Sequence, residues 1–298
     1  KLDWQGNVRI DDATTLVLGA ETARDAIHAP LAAGITTNAG FAELQTAMGG
    51  FAASASLRYD DNSRFGGKLT WRLAPSYLIA ATGTRLKASI GRGFKAPSLE
   101  DLYGPYGHNP DLKAETSTGY DVGLEQALFD GASVGVTWFH NDIANLIETG
   151  PPPSYAPVNI GKARTQGIEA FAAWSPLGTL RLRADYTYTE AEDTMVGTAL
   201  LRRPQNKVSL NALWQARADL TLDAALLASS GWSDVDREGF FPVKASGYTV
   251  ADVSVNYAVT PMFTVYGRIN NLFDARYQNP SGFLQPGLGG YAGVKVTL

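Results

Sequence analysis

The chain has 298 residues, a formal net charge of −4 and no cysteine, and this length suits one large domain or two ordinary ones. The acidic balance leaves no basic surplus for neutralising phosphates, which excludes nucleic acid as a partner. The absence of cysteine excludes a disulfide framework and any thiol-bound metal.

No segment approaches the roughly 20 consecutive apolar residues that a transmembrane helix needs. A transmembrane β-strand exposes only every second side chain to lipid, so a mean hydropathy near neutral, here −0.11, is compatible with such strands. The chain opens with KLDWQGNVRI, which contains neither an initiator Met nor the apolar core of a signal peptide. We therefore expect the chain to begin inside a longer protein.

Alternation of apolar and polar residues with a period of two recurs nearly from end to end, in segments of about ten residues. In residues 180–189 one face is apolar and ends in Tyr186 and Tyr188, whereas the other carries Arg183 and Asp185. The pattern predicts about fifteen strands, among them residues 1–10, 51–60, 85–90, 120–125, 133–138, 180–189, 207–215, 251–257, 263–270 and 291–298.

The predicted connections alternate between short and long. The short ones are residues 129–131, 175–178, 216–219 and 259–261, and the long ones are residues 93–115, 148–157, 192–203, 231–247 and 273–289. Short periplasmic turns opposite long outer loops are typical of outer-membrane barrels. We predict an all-β, antiparallel transmembrane barrel in which residues 98–103 form the one helical turn. Because single-chain bacterial barrels have even strand numbers, about fifteen strands are only part of one.

The polar residues do not indicate an enzyme. A hydrated or plugged barrel lumen explains the charged faces of the strands without catalysis, and no Ser/His/Asp arrangement is evident. His28, His108 and His140 lie far apart and lack metal-ligand spacing. We predict no catalytic residue, no metal site and no cofactor.

Two short motifs only partly match known sites. Residues 91–96 (GRGFKA) fit a dinucleotide-type glycine pattern, but Pro97 follows without helical periodicity, so no helix N-terminus is expected there. Residues 234–239 (DVDREG) match the first half of a calcium loop, but Ala245 stands where the closing Glu would be. We expect neither motif to bind a ligand of that kind.

Several motifs in sequence order carry a family resemblance. They are GRGFKAPSLEDLYG at 91–104 with NPDLKAETS at 109–117, NIGKARTQGIE at 159–169, RRPQNKV at 202–208 and NNLFDARY at 270–277. The chain thereby resembles the C-terminal barrel portion of TonB-dependent outer-membrane receptors. The resemblance implies a 22-stranded barrel in the Gram-negative outer membrane, of which residues 1–298 would form strands eight to twenty-two without the plug domain. Its partners would be outer-membrane lipid and, through the missing plug, the TonB–ExbB–ExbD system.

Within that superfamily the chain is most similar to the cobalamin transporters, through LYGPYGHNPDL at 102–112, GKAR at 161–164, GIEA at 167–170 and LLRR at 200–203. The implied function is energy-coupled uptake of a corrinoid, with Arg202 at the position that reaches substrate. The acidic loops that bind calcium in that family are missing, so no calcium site is carried over. Alternatives are a ferric-siderophore receptor, a haem receptor with His108 as its loop histidine, and a plugless pore or structural barrel fragment.

The candidate ligand-binding residues lie in or beside the long connections. They are Tyr103, Tyr106, Asn109, Tyr155, Asn159, Arg202 and Arg203. Aromatic rings supply contact area for a large organic ligand, and Asn amides can hydrogen-bond its amide groups. The competing interpretation is that the aromatic residues pack the loops together or lie at the lipid interface, and that the arginines pair with neighbouring carboxylates.

Overall fold

A computed structural model of the chain describes residues 1–28, 32–150, 154–236, 238 and 241–297. The first strands are β1 (Leu2–Arg9), β2 (Thr14–Ile27), β3 (Ala33–Met48), β4 (Phe51–Asn62), β5 (Gly66–Ile79) and β6 (Thr84–Lys95). A single helical turn, α1 (Leu99–Tyr103), precedes β7 (Glu115–Phe129), β8 (Ala132–Thr149), β9 (Pro157–Leu177) and β10 (Leu180–Asp193). The remaining strands are β11 (Thr198–Ala199), β12 (Asn206–Arg217), β13 (Leu220–Ser229), β14 (Trp232–Val235), β15 (Pro242–Ala245), β16 (Tyr248–Ala258), β17 (Phe263–Asn270) and β18 (Gly289–Val296).

The strands pair in chain order to form one antiparallel sheet. Its order is β1 to β10, then β12, β13, β16, β17 and β18; the short β11 pairs with β10, and β14 and β15 form a separate hairpin. Among the described residues, fifteen strands therefore follow one another in the main path, as the alternation predicts. The helix is confined to α1, and no helix in the described ranges is long and apolar enough to cross a membrane.

The chain forms two compact units. The first comprises Lys1–Leu124, Trp138–Gln166 and Ala191–Thr198, and the second comprises Glu125–Thr137, Gly167–Glu190 and Ala199–Leu298. The final residue of the second unit, at which the predicted last strand ends, lies outside the described residues.

In the first unit the apolar face of the sheet is the exposed one. Leu57 lies opposite Trp71 across β4 and β5, and both side chains are exposed. On the other face Arg58 contacts the carboxylate of Asp60 at 2.8 Å and that of Glu21 at 3.5 Å. This arrangement is the reverse of that in a water-soluble sheet and fits strands whose apolar face contacts lipid.

The second unit has the same two-faced character. Its exposed apolar face includes Leu210, while on the polar face Arg183 contacts Asp185 at 2.6 Å. The Arg183 guanidinium also lies 4.7 Å from the ring centre of Phe171. That ring occupies the space beside Gly135, where a Cβ atom would lie 2.3 Å from it, so a larger residue at this position would displace the ring.

Aromatic residues of the second unit lie beside its short turns. Phe129 and Trp174 pack edge to face with ring centres 6.4 Å apart, and Trp214 is exposed near the end of β12. The Arg217 guanidinium lies 5.4 Å from the ring centre of Tyr257. Exposed aromatic rings at strand ends are the pattern of an interfacial girdle.

The predicted alternation of short turns and long connections is confirmed from β6 onward. The β7–β8, β9–β10, β12–β13 and β16–β17 turns are short, whereas the connections after β6, β8, β10, β13 and β17 are long. Nearer the start of the chain, the side of the sheet that carries the long connections also has a short one, because only residues 63–65 join β4 to β5.

The main buried apolar cluster lies in the first unit beneath the connection between β6 and β7. Its members Ile35, Leu102 and Leu112 come from β3, α1 and the segment after α1, with Phe65 and Ile147 packed against them. The apolar core therefore lies at the ends of the strands, where it supports the long connections.

Candidate functional site

The connection between β6 and β7 is a folded element of the first unit. Its helix α1 begins with a reciprocal capping pair, in which the Asp101 amide donates to Ser98 Oγ and the Ser98 amide donates to the Asp101 carboxylate, both at 3.0 Å. Leu102 has no exposed surface and packs on Ile35 and Leu112. The predicted turn at residues 98–103 is thus confirmed, and burial of Leu102 fixes it to the sheet.

Arg64, in the β4–β5 turn, holds the same connection from the side. Its guanidinium donates to the hydroxyl of Tyr103 and to the carbonyl of Pro110. It also lies 5.3 Å from the ring centre of Tyr103 and 5.8 Å from that of Phe65, within the range of cation–π attraction. The candidate residue Tyr103 therefore packs the connection together in this structure.

The candidate amides Asn109 and Asn159 join the β6–β7 connection to the adjoining ends of β8 and β9. Asn109 Nδ2 donates to the carbonyl of Pro157 at 3.0 Å. Asn159 Oδ1 accepts the amide of Lys113 at 2.8 Å, while its Nδ2 donates to the carbonyls of Lys113 at 3.0 Å and Asn145 at 2.7 Å. Both side chains thus shape the connections through backbone hydrogen bonds.

Tyr106 is the most exposed candidate in the first unit, with 90% of its surface accessible. The adjacent Gly107 has a φ of +97°, and a Cβ there would lie 2.9 Å from the carbonyl oxygen of Ser154. Glycine at position 107 therefore permits the close approach to Ser154 and determines the backbone conformation next to Tyr106. Tyr155 is partly buried, and its φ of 51° places it in the left-handed backbone region, which tyrosine seldom adopts.

His108 is the loop histidine of the haem alternative. Its Nδ1 lies 2.9 Å from the carbonyl oxygen of Gly104. Because a carbonyl only accepts, this contact assigns the ring proton to Nδ1 and leaves Nε2 as the possible acceptor or metal ligand.

In the second unit, Arg202 extends from the long connection between β10 and β12. Its backbone has a φ of 59°, and its amide donates to the carbonyl of Ser233 at 2.8 Å. Its Nε donates to Asp234 Oδ1 at 3.0 Å, although 50% of the side chain is exposed. Arg203, by contrast, directs Nη1 to the carbonyls of Leu201 at 3.4 Å and Arg202 at 3.3 Å.

The partner carboxylate, Asp234, is completely buried. Its Oδ1 accepts Arg202 Nε and the Val235 amide at 2.9 Å, and its Oδ2 accepts the Ser281 amide at 2.9 Å and Trp232 Nε1 at 3.3 Å. Burial by itself would raise the pKa of this carboxyl, but the hydrogen bonds from Ser281, Val235, Arg202 and Trp232 together outweigh it and hold the pKa below its ordinary value.

A cluster of three aromatic residues lies beside the Asp234 carboxylate. Trp232 meets Tyr248 edge to face with ring centres 6.1 Å apart, and Tyr248 stacks on Tyr277 at 4.1 Å. Burial, together with the neighbouring Tyr248 and Asp252, raises the pKa of the Tyr277 hydroxyl. The sequence patterns did not assign Trp232, Asp234, Tyr248 or Tyr277 to a ligand site. Asp234 stands in the sequence only as the first residue of the partial calcium motif, and Tyr277 only as the last residue of the family motif at 270–277. Trp232 and Tyr248 lie near the two ends of the long connection between β13 and β16.

The two partial motifs form other contacts. In residues 91–96, Gly91 pairs with Arg72 in the sheet, and β6 continues to Lys95 before α1 begins. In residues 234–239, Asp234 binds the donors described above, while Arg237 and Gly239 lie outside the described residues. Within the described ranges, no three His, Asp or Glu side chains converge as a metal site.

An antiparallel sheet with an exposed apolar face, an opposite charged face, and short turns opposite long connections defines a transmembrane β-barrel of the outer-membrane class. Residues 3–272 match the family model described as TonB dependent receptor-like, beta-barrel. The chain therefore belongs to this family. Proteins of this family are outer-membrane receptors and transporters and not enzymes, so the predictions of an outer-membrane location and of a non-enzymatic protein are confirmed.

Individual relatives agree with this assignment. The chain is 30% identical over 296 residues to the "Vitamin B12 transporter BtuB" of Photobacterium profundum, covering 92% of this chain and 46% of that protein. A variant of the ferric enterobactin receptor PfeA of Pseudomonas aeruginosa, in complex with enterobactin, has a TM-score of 0.82 at 23% identity, covering 99% of this chain and 53% of that one. The siderophore receptor PirA of the same organism has a TM-score of 0.77 at 23% identity, with coverages of 99% and 54%. The chain thus spans about half the length of these relatives.

Proposed function

We propose that residues 1–298 form one barrel domain of a TonB-dependent outer-membrane receptor that takes up a corrinoid, with cobalamin as the first candidate. The observation that carries this proposal is the 30% identity, over 92% of the chain, to a relative named a vitamin B12 transporter. The motifs LYGPYGHNPDL, GKAR and LLRR support the same ligand class.

The proposed contacts differ in their roles. Tyr106, which is 90% exposed, supplies an aromatic face, and the half-exposed Arg202 supplies hydrogen-bond donors. In this proposal the other candidates shape or flank the surface of their own unit: Tyr103, Asn109, Tyr155 and Asn159 in the first unit, and Arg203 in the second. Flat rings and fixed donors suit a large ligand with many amide groups.

The barrel itself carries out no covalent chemistry in this proposal. Its long connections bind the ligand, and release into the periplasm is driven by the TonB–ExbB–ExbD system acting through a plug domain. This energy coupling rests on family membership.

A ferric siderophore is the second candidate ligand. The observation in its favour is the exposed guanidinium of Arg202, because a cationic group suits an anionic iron chelate. The fold likeness to the ferric enterobactin receptor, at 23% identity, does not decide between the two ligands.

Binding of cyanocobalamin to outer-membrane vesicles that carry the intact receptor tests the proposal. We expect a dissociation constant on the order of nanomolar, which corresponds to about −12 kcal/mol of binding free energy. Binding of a ferric siderophore without cyanocobalamin binding would establish the second candidate. Ligand-independent conductance without binding of either would indicate a passive pore.

A further inference from the structure

We propose that Asp234 is the positioning residue of the ligand site: its buried carboxylate orients the Arg202 guanidinium toward the ligand and joins three long connections. The inference rests on the proposed function insofar as Arg202 contacts the ligand. The contacts that carry it all lie within the second unit.

The first step is that the hydrogen-bond donors to Asp234 come from three different parts of the chain. Arg202 comes from the connection between β10 and β12, Trp232 and Val235 from the hairpin between β13 and β16, and Ser281 from the connection between β17 and β18. One carboxylate therefore links its own segment to one that lies 32 residues before it and one that lies 47 residues after it. A buried carboxylate is stable only when such donors satisfy it.

The second step is the orientation of Arg202. Its φ of 59° is a left-handed conformation that arginine seldom adopts, and such a backbone persists only where the surroundings determine it. Here the determinants are the amide contact to Ser233 and the Nε contact to Asp234. Among the described residues Nε alone of this guanidinium has a hydrogen-bond partner, so Asp234 fixes the orientation of the half-exposed Nη groups.

The third step is that the position needs a carboxylate. Each oxygen of Asp234 accepts two donors. An Asn amide has one accepting atom and one donating atom. In either amide orientation, Asp234→Asn would therefore turn N–H groups toward two existing donors, although the side-chain shape is unchanged. Whichever way the amide is oriented, the variant removes the negative charge that pairs with Arg202 and leaves two buried donors without an acceptor, with little change in volume.

The experiment is a double-mutant cycle on the intact receptor in outer-membrane vesicles, with cyanocobalamin as the probe. We expect Asp234→Asn to weaken binding about tenfold, a change of about 1.4 kcal/mol. We expect the double variant with Arg202→Ala to bind no more weakly than Arg202→Ala alone, because Asp234 acts through Arg202. Additive losses, or unchanged affinity in Asp234→Asn, would overturn the proposal.

A second measurement needs no ligand and separates this inference from the proposed function. Hydrogen exchange of the ligand-free receptor should become faster in the segments containing Arg202 and Ser281 in Asp234→Asn. The matched control is Asp219→Asn, which removes a carboxylate paired with Arg217 at 2.9 Å beside a short turn and should leave exchange in both segments unchanged. Unchanged exchange in Asp234→Asn overturns the inference whether or not the receptor binds cyanocobalamin, whereas failure to bind with faster exchange overturns only the corrinoid assignment.

Discussion

Arg202 and Arg203 are adjacent in sequence, but the structure gives their guanidinium groups different surroundings. Arg202 is held by one Nε contact to a buried carboxylate and is half exposed, whereas Arg203 hydrogen-bonds carbonyls of its own segment. The predicted pairing of the LLRR arginines with a neighbouring carboxylate therefore exists for Arg202. That pairing is compatible with the proposed ligand contact, because it uses Nε and not the Nη groups.

We expect Arg202→Ala to weaken cyanocobalamin binding about tenfold or more, since a charged hydrogen-bond donor contributes about 1.5–3 kcal/mol. Receptor yield in the outer membrane should not change, because the side chain lies outside the strands. The matched control is Arg203→Ala, for which we expect a smaller loss of affinity. Equilibrium binding to vesicles and quantitative immunoblotting measure the two quantities, and a fall in yield at constant affinity would show that Arg202 is structural.

The lowered pKa of Asp234 predicts how the site responds to acid. A carboxyl whose folded-state pKa lies below the ordinary value of about 3.9 contributes stability above that value and loses it as pH falls through the folded-state pKa. Exchange protection at Arg202 and Ser281 should therefore be constant from about pH 8 to pH 5 and decrease only below about pH 4. Asp234→Asn should lack this acid-dependent decrease, and a midpoint near pH 6 in the unmodified receptor would contradict the assignment.

Among the individual elements, α1 shows how a long connection acquires a fixed structure. Its capping pair is local, but its burial depends on Leu112 of the same connection and on Ile35, which is distant in sequence from Leu102. Leu102→Ala should cost about 2–5 kcal/mol locally, because it removes a fully buried side chain. We expect faster proteolysis within residues 96–114 in this variant.

The strands themselves should remain protected in Leu102→Ala, and Leu99→Ala is the matched control because Leu99 is only partly buried against the same cluster. Limited proteolysis followed by mass spectrometry locates the cleavage sites. Cleavage of strands as well as of the connection would show that α1 supports the barrel as a whole.

The elements also show which parts of the structure can be predicted from sequence. The strands, and the short turns between them, can be predicted from the alternation of apolar and polar residues with a period of two. Helix α1 can be predicted from Ser98 and Asp101. In both cases the sequence signal spans only a few residues. The partners of Asn109, Asn159 and Asp234 lie as many as 46 to 48 residues away. No local pattern encodes such contacts, so the sequence offers candidate residues in the long connections but not the partners that hold them.

For the whole molecule, the distribution of polarity is determined by lipid on one face of the sheet. Leu210 pairs with Ala184 and Leu226 and is exposed on the apolar face, while its neighbour Asn211 lies on the polar face. In a water-soluble sheet, replacing an exposed leucine with a charged residue has little effect. In a barrel, an arginine facing lipid near the bilayer midplane costs about 2–4 kcal/mol.

We therefore expect Leu210→Arg to destabilise the intact receptor in lipid vesicles by about 2–4 kcal/mol. Asn211→Arg, its matched control, should change stability by less than about 1 kcal/mol, since a polar lumen-facing site hydrates the charge. Denaturant titration in vesicles, followed by heat-modifiable migration on gels, measures both variants. Equal effects would mean that the two faces have the same environment, which is incompatible with a lipid-facing apolar surface; a large effect of Leu210→Arg alone would assign this face of β12 to the membrane.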